Sequence, residues 1–152
     1  MTIITDPLFY AVAIPAVICL GLSKGGFTGI GMVATPMTYF AAHHLGTQTS
    51  VMVTGSHNPP DYNGLKMVVD GTTLSGEDIQ KLRARIEAGQ FASGAGTFRI
   101  ADIAPAYLDR IIGDIRLARP LKIAVDCGNG VAGAFAPTLF RGLGCEVTEM
   151  FC

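Results

Sequence analysis

An α/β fold is predicted by three observations. Two short apolar, β-branched runs, residues 50–53 and 65–69, flank a stretch dense in proline, glycine and asparagine, the pattern of two strands joined by a constrained loop. Segments 75–86 and 103–117 repeat apolar residues at helical spacing. A third strand-like run, 121–125, leads through a glycine-rich turn into another helical stretch. With 152 residues the chain can bury a core of about one domain. A net charge of −1 and the absence of a basic run leave no electrostatic case for nucleic acid.

The first part of the chain differs from the rest in composition. Before residue 60 only Asp6 and Lys24 are charged, and the other 21 charged residues start at Asp61. Residues 7–23 and 25–42 are uncharged and mostly apolar, 17 and 18 residues long. A bilayer crossing takes about 20 apolar residues, with about 17 as the lower limit, so residues 7–42 are expected to be capable of membrane association. A signal peptide fits poorly, since the segment before the apolar run carries Asp6 and no Lys or Arg. The alternative is a buried apolar helix, and Pro15 argues against it because a mid-helix proline costs about 3 kcal/mol.

The loop between the first two strands reads V-M-V-T-G-S-H-N-P-P-D-Y-N-G over residues 51–64. Pro59 and Pro60 fix φ, and Gly55 and Gly64 permit angles that other residues resist, so the loop is expected to be stiff. It carries Ser56. A serine hydroxyl needs a base or a metal ion to act as a nucleophile, and His57 and Lys66 are the nearest candidates. Neighbours in extended chain point apart, so Ser56 and His57 do not read as a hydrolase pair. A phosphoryl carrier is the functional reading. A turn in which the hydroxyl only caps backbone donors is the structural one.

Downstream, Ser75-Gly76-Glu77-Asp78 is expected to open a helix, with Ser75 as its cap and Asp78 at the third position. Ile79, Leu82 and Ile86 form its apolar stripe, while Lys81, Arg83 and Arg85 face water. Residues 89–96 read as a loop. A helix over 104–117 follows, with Ile103, Tyr107, Leu108, Ile111, Ile112 and Ile115 directed to the core. After the strand at 121–125, Gly128, Gly130 and Gly133 spell G-x-G-x-x-G before a helix over 132–143, and Glu149 lies near the end of a second strand. That is the sequence context of a dinucleotide fingerprint and supports a rival nucleotide-binding reading.

Cys19, Cys127, Cys145 and Cys152 contain no C-x-x-C pair and read as reduced, buried thiols of a cytosolic protein. His43-His44 has no ligand partner at helical spacing and reads as helix surface. Asp61, Asp70, Glu77, Asp78 and Glu87 are scattered over turns and helices, which suits solvated faces better than a metal site.

T-G-S-H-N-P-P-D-Y-N-G-L-K resembles the active-site serine loop of the α-D-phosphohexomutases, in the bacterial phosphomannomutase/phosphoglucomutase branch. The similarity runs on through M-V-V-D-G-T-T-L-S-G-E-D-I-Q-K-L and K-I-A-V-D-C-G-N-G-V-A-G, and covers roughly residues 31–152. M-V-A-T-P-M-T-Y-F-A-A-H-H-L fits as the helix before the serine loop. The resemblance implies that Ser56 carries a phosphoryl group and that His57 and Lys66 are catalytic. Asn58 would bind substrate, and the Ser56 phosphate would contact magnesium. The implied substrate is a hexose phosphate, with glucose 1,6-bisphosphate as activator and a cytoplasmic setting. The same resemblance makes the D-C-G-N-G-V-A-G string a strand–helix turn that binds no nucleotide.

The expected fold is a partial phosphohexomutase: the serine-loop part of domain I over 31–118, the start of domain II over 119–152, and an apolar helical segment of separate origin over 1–30. The family's D-G-D-G-D-type magnesium loop, its sugar loop and its C-terminal phosphate loop have no counterpart in this sequence. The expectation is therefore a fragment with weak or no activity by itself. Residues 8–29, which read L-F-Y-A-V-A-I-P-A-V-I-C-L-G-L-S-K-G-G-F-T-G, resemble the N-terminus of the sulfite-exporter permeases, with a junction near 27–33.

Overall fold

The computed structural model describes residues 33–54, 59 and 61–152. Readings made on residues 1–32, including the apolar run 7–23 and the permease resemblance, lie outside the described residues. The chain divides into two compact units, Met1–Ile100 and Ala101–Cys152.

The first unit begins with α1 (Thr35–His44), which has Pro36 in its first turn, where the missing N–H costs nothing and φ is already helical. Gly46, at φ +68°, ends it by donating its N–H to the His43 carbonyl at 3.1 Å. Three strands follow: β1 (Ser50–Val53), β2 (Leu65–Val69) and β3 (Thr72–Thr73). All pairing is antiparallel, in the order β1-β2-β3. Asp70 and Gly71 join β2 to β3 with φ of 49° and 71°, the conformation a tight two-residue hairpin requires.

The core of this unit lies between α1 and the sheet. Met37, Thr38, Ala41 and Ala42 from the helix and Ser50, Met52 and Val68 from the strands are all buried. Thr38 Oγ1 donates to Met52 Sδ at 3.3 Å, which satisfies a hydroxyl that is 99% shielded from solvent at a 1% residue exposure. Residues 35–42 therefore correct the reading of 25–42 as a bilayer span. They belong to a ten-residue helix, half the length a crossing needs, whose buried side chains face β1 and β2. No described helix is long and apolar enough to cross a membrane.

Ser50 Oγ is buried and has no hydrogen-bond partner among the described residues. An unpaired buried hydroxyl costs free energy without return. Ser50→Ala is therefore expected to raise stability by about 1 kcal/mol, measured as an upward shift of the urea midpoint.

Helix α2 (Glu77–Glu87) departs from expectation in two respects. Its cap is Gly76, at φ 50°, with no side-chain cap hydrogen bond, and Ser75 contributes only its carbonyl, which accepts from the Asp78 N–H at 3.1 Å. Ser75 is thus one residue too early to act as the cap. The helix also buries no residue, and Ile86 is 59% exposed, so the stripe of Ile79, Leu82 and Ile86 is not core in this unit. Lys81–Asp78 at 2.9 Å and Arg83–Glu87 at 2.7 Å are exposed pairs, each contributing a few tenths of a kcal/mol. Arg85 is half-buried rather than facing water. Residues 90–103 have no regular structure.

The second unit contains α3 (Ala104–Asp114), β4 (Lys122–Asp126), a 3₁₀ turn (Val131–Ala134), α4 (Ala136–Gly142) and β5 (Glu146–Met150). Asp102 Oδ1 accepts from the Ala104 N–H at 3.1 Å at the start of α3. The helix stops three residues short of the expected end, because Ile115 is extended and the Arg116 guanidinium takes the Ile112 and Ile115 carbonyls at 3.0 Å. Ile103 is buried and Ile115 is exposed, with Tyr107, Leu108, Ile111 and Ile112 half-buried between them. Strands β4 and β5 pair in parallel, from Lys122 opposite Glu146 to Asp126 opposite Met150.

Candidate functional site

Strands β1 and β2 hold the segment that carries Ser56. Their register runs from Ser50 opposite Val68 to Val53 opposite Leu65, and the Thr54 N–H donates to the Gly64 carbonyl at 2.8 Å. The chain therefore leaves and re-enters the sheet at adjacent ends of one antiparallel strand pair. Inside it, the Tyr62 N–H donates to the Pro59 carbonyl at 3.0 Å. Gly55, Ser56, His57, Asn58 and Pro60 lie outside the described residues, so the roles expected for Ser56, His57 and Asn58 stand on sequence alone.

Lys66 is described. It is the second residue of β2, paired with Met52 across the sheet, and it shares the face of Met52 and Val68. Those two are buried, whereas Lys66 is exposed at the loop end. Among the described residues it makes no salt bridge. An ammonium at this end of β2, without an ion-pair partner among the described residues, is the kind of local charge an anion requires.

A groove of about 320 Å³ is lined by Tyr39, Ala42, His43, Gln48, Val68, Gly71 and Thr73. It sits at the other end of the hairpin, where Gly71 N–H meets the Gln48 carbonyl at 2.7 Å, and so is not part of the serine loop. His44 stacks on Phe40 with ring centroids 5.0 Å apart, and both His43 and His44 are exposed. Among the described residues no three His, Cys, Asp or Glu side chains converge on a metal-sized point.

The glycine-rich turn of the second unit has a structural use. Gly128 and Asn129 take φ of 54° and 55°, and the Asp126 carboxylate accepts from the Gly128 N–H at 2.9 Å. A 3₁₀ turn follows, and the α-helix starts only at Ala136, so no helix N-terminus stands directly behind the glycines as a dinucleotide site requires. Glu149, the acidic residue of that reading, is paired with Arg141 at 2.6 Å. Gly133 packs against the chain after β5, where a Cβ would stand 2.9 Å from the Cα and carbonyl carbon of Cys152.

The cysteines differ from their expected uniform burial. Cys145 is buried, Cys127 half-buried and Cys152 exposed. Cys152 Sγ lies 3.2 Å from Cys127 Sγ. That hydrogen bond, with some desolvation, raises the Cys127 thiol to about 11. The thiolate of Cys127 is accordingly expected to form only as pH climbs toward 11. Iodoacetamide labelling of Cys127 should stay slow at pH 9 in the folded chain and become fast there in urea. The folded state gains from this proton below the unfolded thiol value and loses the gain as pH rises through about 11. The pair is invisible as a sequence motif because its members are 25 positions apart. The signal that finds it is the parallel register, which brings the residues after β4 and β5 together.

Comparison with known proteins places the chain in a family. The family model described as phosphoglucomutase/phosphomannomutase, alpha/beta/alpha domain I, matches residues 9–93. The phosphomannomutase/phosphoglucomutase of Pseudomonas aeruginosa is 54% identical over 123 residues, which is 81% of this chain and 27% of that protein. The phosphoglucomutase of Neisseria gonorrhoeae is 53% identical over 136 residues, 87% of this chain and 30% of that protein. A crystal structure of a phosphoglucomutase/phosphomannomutase family protein from Burkholderia thailandensis superimposes with a TM-score of 0.71 at 48% identity, covering 80% of this chain and 28% of that one. The chain thus spans under a third of the length of these relatives. A family model that matches more than half of the chain makes the protein a member of the phosphoglucomutase/phosphomannomutase family.

Proposed function

We propose that this chain carries the phosphoserine segment of a phosphohexomutase. In this reading Ser56 holds a phosphoryl group and passes it to a hexose phosphate. The P–O bond to the serine breaks as one to a sugar hydroxyl forms. The sugar hydroxyl's proton goes to a base, and the departing serine oxygen takes up a proton to become a hydroxyl again. The resulting bisphosphate reorients and returns its other phosphate to Ser56. Hexose 1-phosphate and hexose 6-phosphate are thereby interconverted, with glucose 1,6-bisphosphate able to prime the serine.

The observation that carries the reading is the hairpin closure between Thr54 and Gly64, with the exposed Lys66 two residues beyond it. Phosphoryl transfer depends on positioning and on neutralising charge over the phosphoryl oxygens, and Lys66 is the described cation nearest in sequence to do so. His57 is assigned to proton transfer and Asn58 to substrate contact. Magnesium is the family's metal, but the described carboxylates supply no set of three ligands for it. Residues 31–118 would form the serine-loop part of domain I and 119–152 the start of domain II, in a cytoplasmic enzyme. Residues 1–30 would be an apolar segment of separate origin preceding them.

The test is complementation. Added to a relative's polypeptide lacking this segment, the chain is expected to restore conversion of glucose 1-phosphate to glucose 6-phosphate. Lys66→Ala should lower the restored rate by about 10²-fold. Equal restoration by Ser56→Ala would refute the assignment.

A further inference from the structure

We propose that Cys127 and Cys152 form a reversible disulfide, a modification site in the second unit that is independent of the serine loop. The two sulfurs are 3.2 Å apart, so a small side-chain rotation brings them to the roughly 2.05 Å of a bond. Backbone hydrogen bonds fix the approach: the Cys127 N–H donates to the Met150 carbonyl at 3.1 Å, and the Asn129 N–H to the Phe151 carbonyl at 2.7 Å. Phe151 takes φ 51°, which turns the chain after β5 back toward the glycine-rich turn. Gly133 leaves room for Cys152 to sit there. Cys152 is exposed and meets an oxidant first, and Cys127 is positioned to resolve it.

The oxidant is hydrogen peroxide. The Cys152 thiolate attacks one peroxide oxygen, the O–O bond breaks, and the departing hydroxide takes up a proton to become water. The sulfenic acid left on Cys152 is attacked by the Cys127 sulfur. The S–S bond forms as the S–O bond breaks, and a second water leaves with the remaining thiol proton. Two thiols lose two electrons and two protons, and the peroxide is reduced to two waters. A dithiol reverses the bond by exchange. Among the described residues no third ligand accompanies the pair, so a dithiol, not a metal centre, is the chemistry available.

The test uses the whole reduced chain, treated with hydrogen peroxide while folded, freed of peroxide, and then alkylated in urea, where Cys127 labels fast. Trypsin and a glutamate-specific protease together separate Cys145 from Cys152 by cutting after Arg141, Glu146 and Glu149. Expected are a loss of two hydrogens per chain, a linked Cys127–Cys152 peptide, loss of alkylation at both, and recovery with dithiothreitol. In urea the same oxidant should give mixed pairings that include Cys19 and Cys145. Cys152→Ser should leave Cys127 alkylatable after peroxide. The same mixture with and without urea would overturn the proposal, as would links between chains or Cys152 driven to sulfinic acid while Cys127 still alkylates.

Discussion

Met37→Ala is expected to cost about 2–5 kcal/mol, the range for removing a large buried side chain from a core that cannot collapse around it. Met37 is 1% exposed, on the side of α1 (Thr35–His44) that covers β1 and β2. Its unit has few other large buried side chains to share the loss, the remainder being mainly Met52 and Val68. Total stability of a small domain is about 5–15 kcal/mol, so the variant approaches the limit of folding. With a urea slope of about 1–3 kcal/mol/M, the midpoint should fall by about 2 M, read by far-ultraviolet circular dichroism. Ile86→Ala is the comparison. Ile86 is exposed on α2 (Glu77–Glu87), so its replacement should stay within about 0.5 kcal/mol. Equal effects from the two variants would mean that α1 is not what covers the sheet.

Gly133→Val is expected to destabilise the second unit by about 1–3 kcal/mol through overpacking. The added Cβ would stand 2.9 Å from backbone atoms of Cys152, which cannot rotate away as a side chain can. The clash falls on the segment tied to the glycine-rich turn by the Phe151 carbonyl, so the turn moves too. Gly113→Ala, in open space within α3 (Ala104–Asp114), is the opposite case and should stabilise by about 0.5–1 kcal/mol. Melting followed by circular dichroism separates the two signs. Peroxide treatment of Gly133→Val adds an independent readout, because displacement of Cys152 should lower the yield of the Cys127–Cys152 link.

Local chemistry was legible where it acts locally. The runs at 50–53 and 65–69 are strands because β-branched residues on both sides of a proline-rich turn leave a hairpin as the simplest closure. The Asp70-Gly71 turn and the short β3 were not foreseen, although that dipeptide is an equally local hairpin signal. Helix interiors at 77–87 and 104–114 followed from apolar spacing, but their ends did not. Gly76 displaces Ser75 as the cap through its left-handed φ, and Arg116 closes α3 early through a side-chain contact that spacing does not encode. The helix after the glycine-rich turn starts at Ala136 because residues 131–134 tighten into a 3₁₀ turn. Burial was harder still. Ile79 and Ile86 have the spacing of a core stripe and are exposed, because burial depends on what packs against a helix. The Cys127–Cys152 approach depends on the register of β4 and β5 and could not be read from either cysteine alone. For the site, the roles given to Ser56, His57 and Asn58 rest on the motif alone, whereas the position of Lys66 at the loop end of β2 came from the sheet register.

The most direct test is the intact mass of the purified chain before and after incubation with glucose 1,6-bisphosphate and magnesium, with Ser56→Ala as control and circular dichroism to verify folding. One added phosphate on the wild-type chain, mapped to Ser56 and missing from the control, is the predicted result. A folded chain that takes up no phosphate, or a Ser56→Ala control that takes up as much, would contradict the phosphoserine assignment.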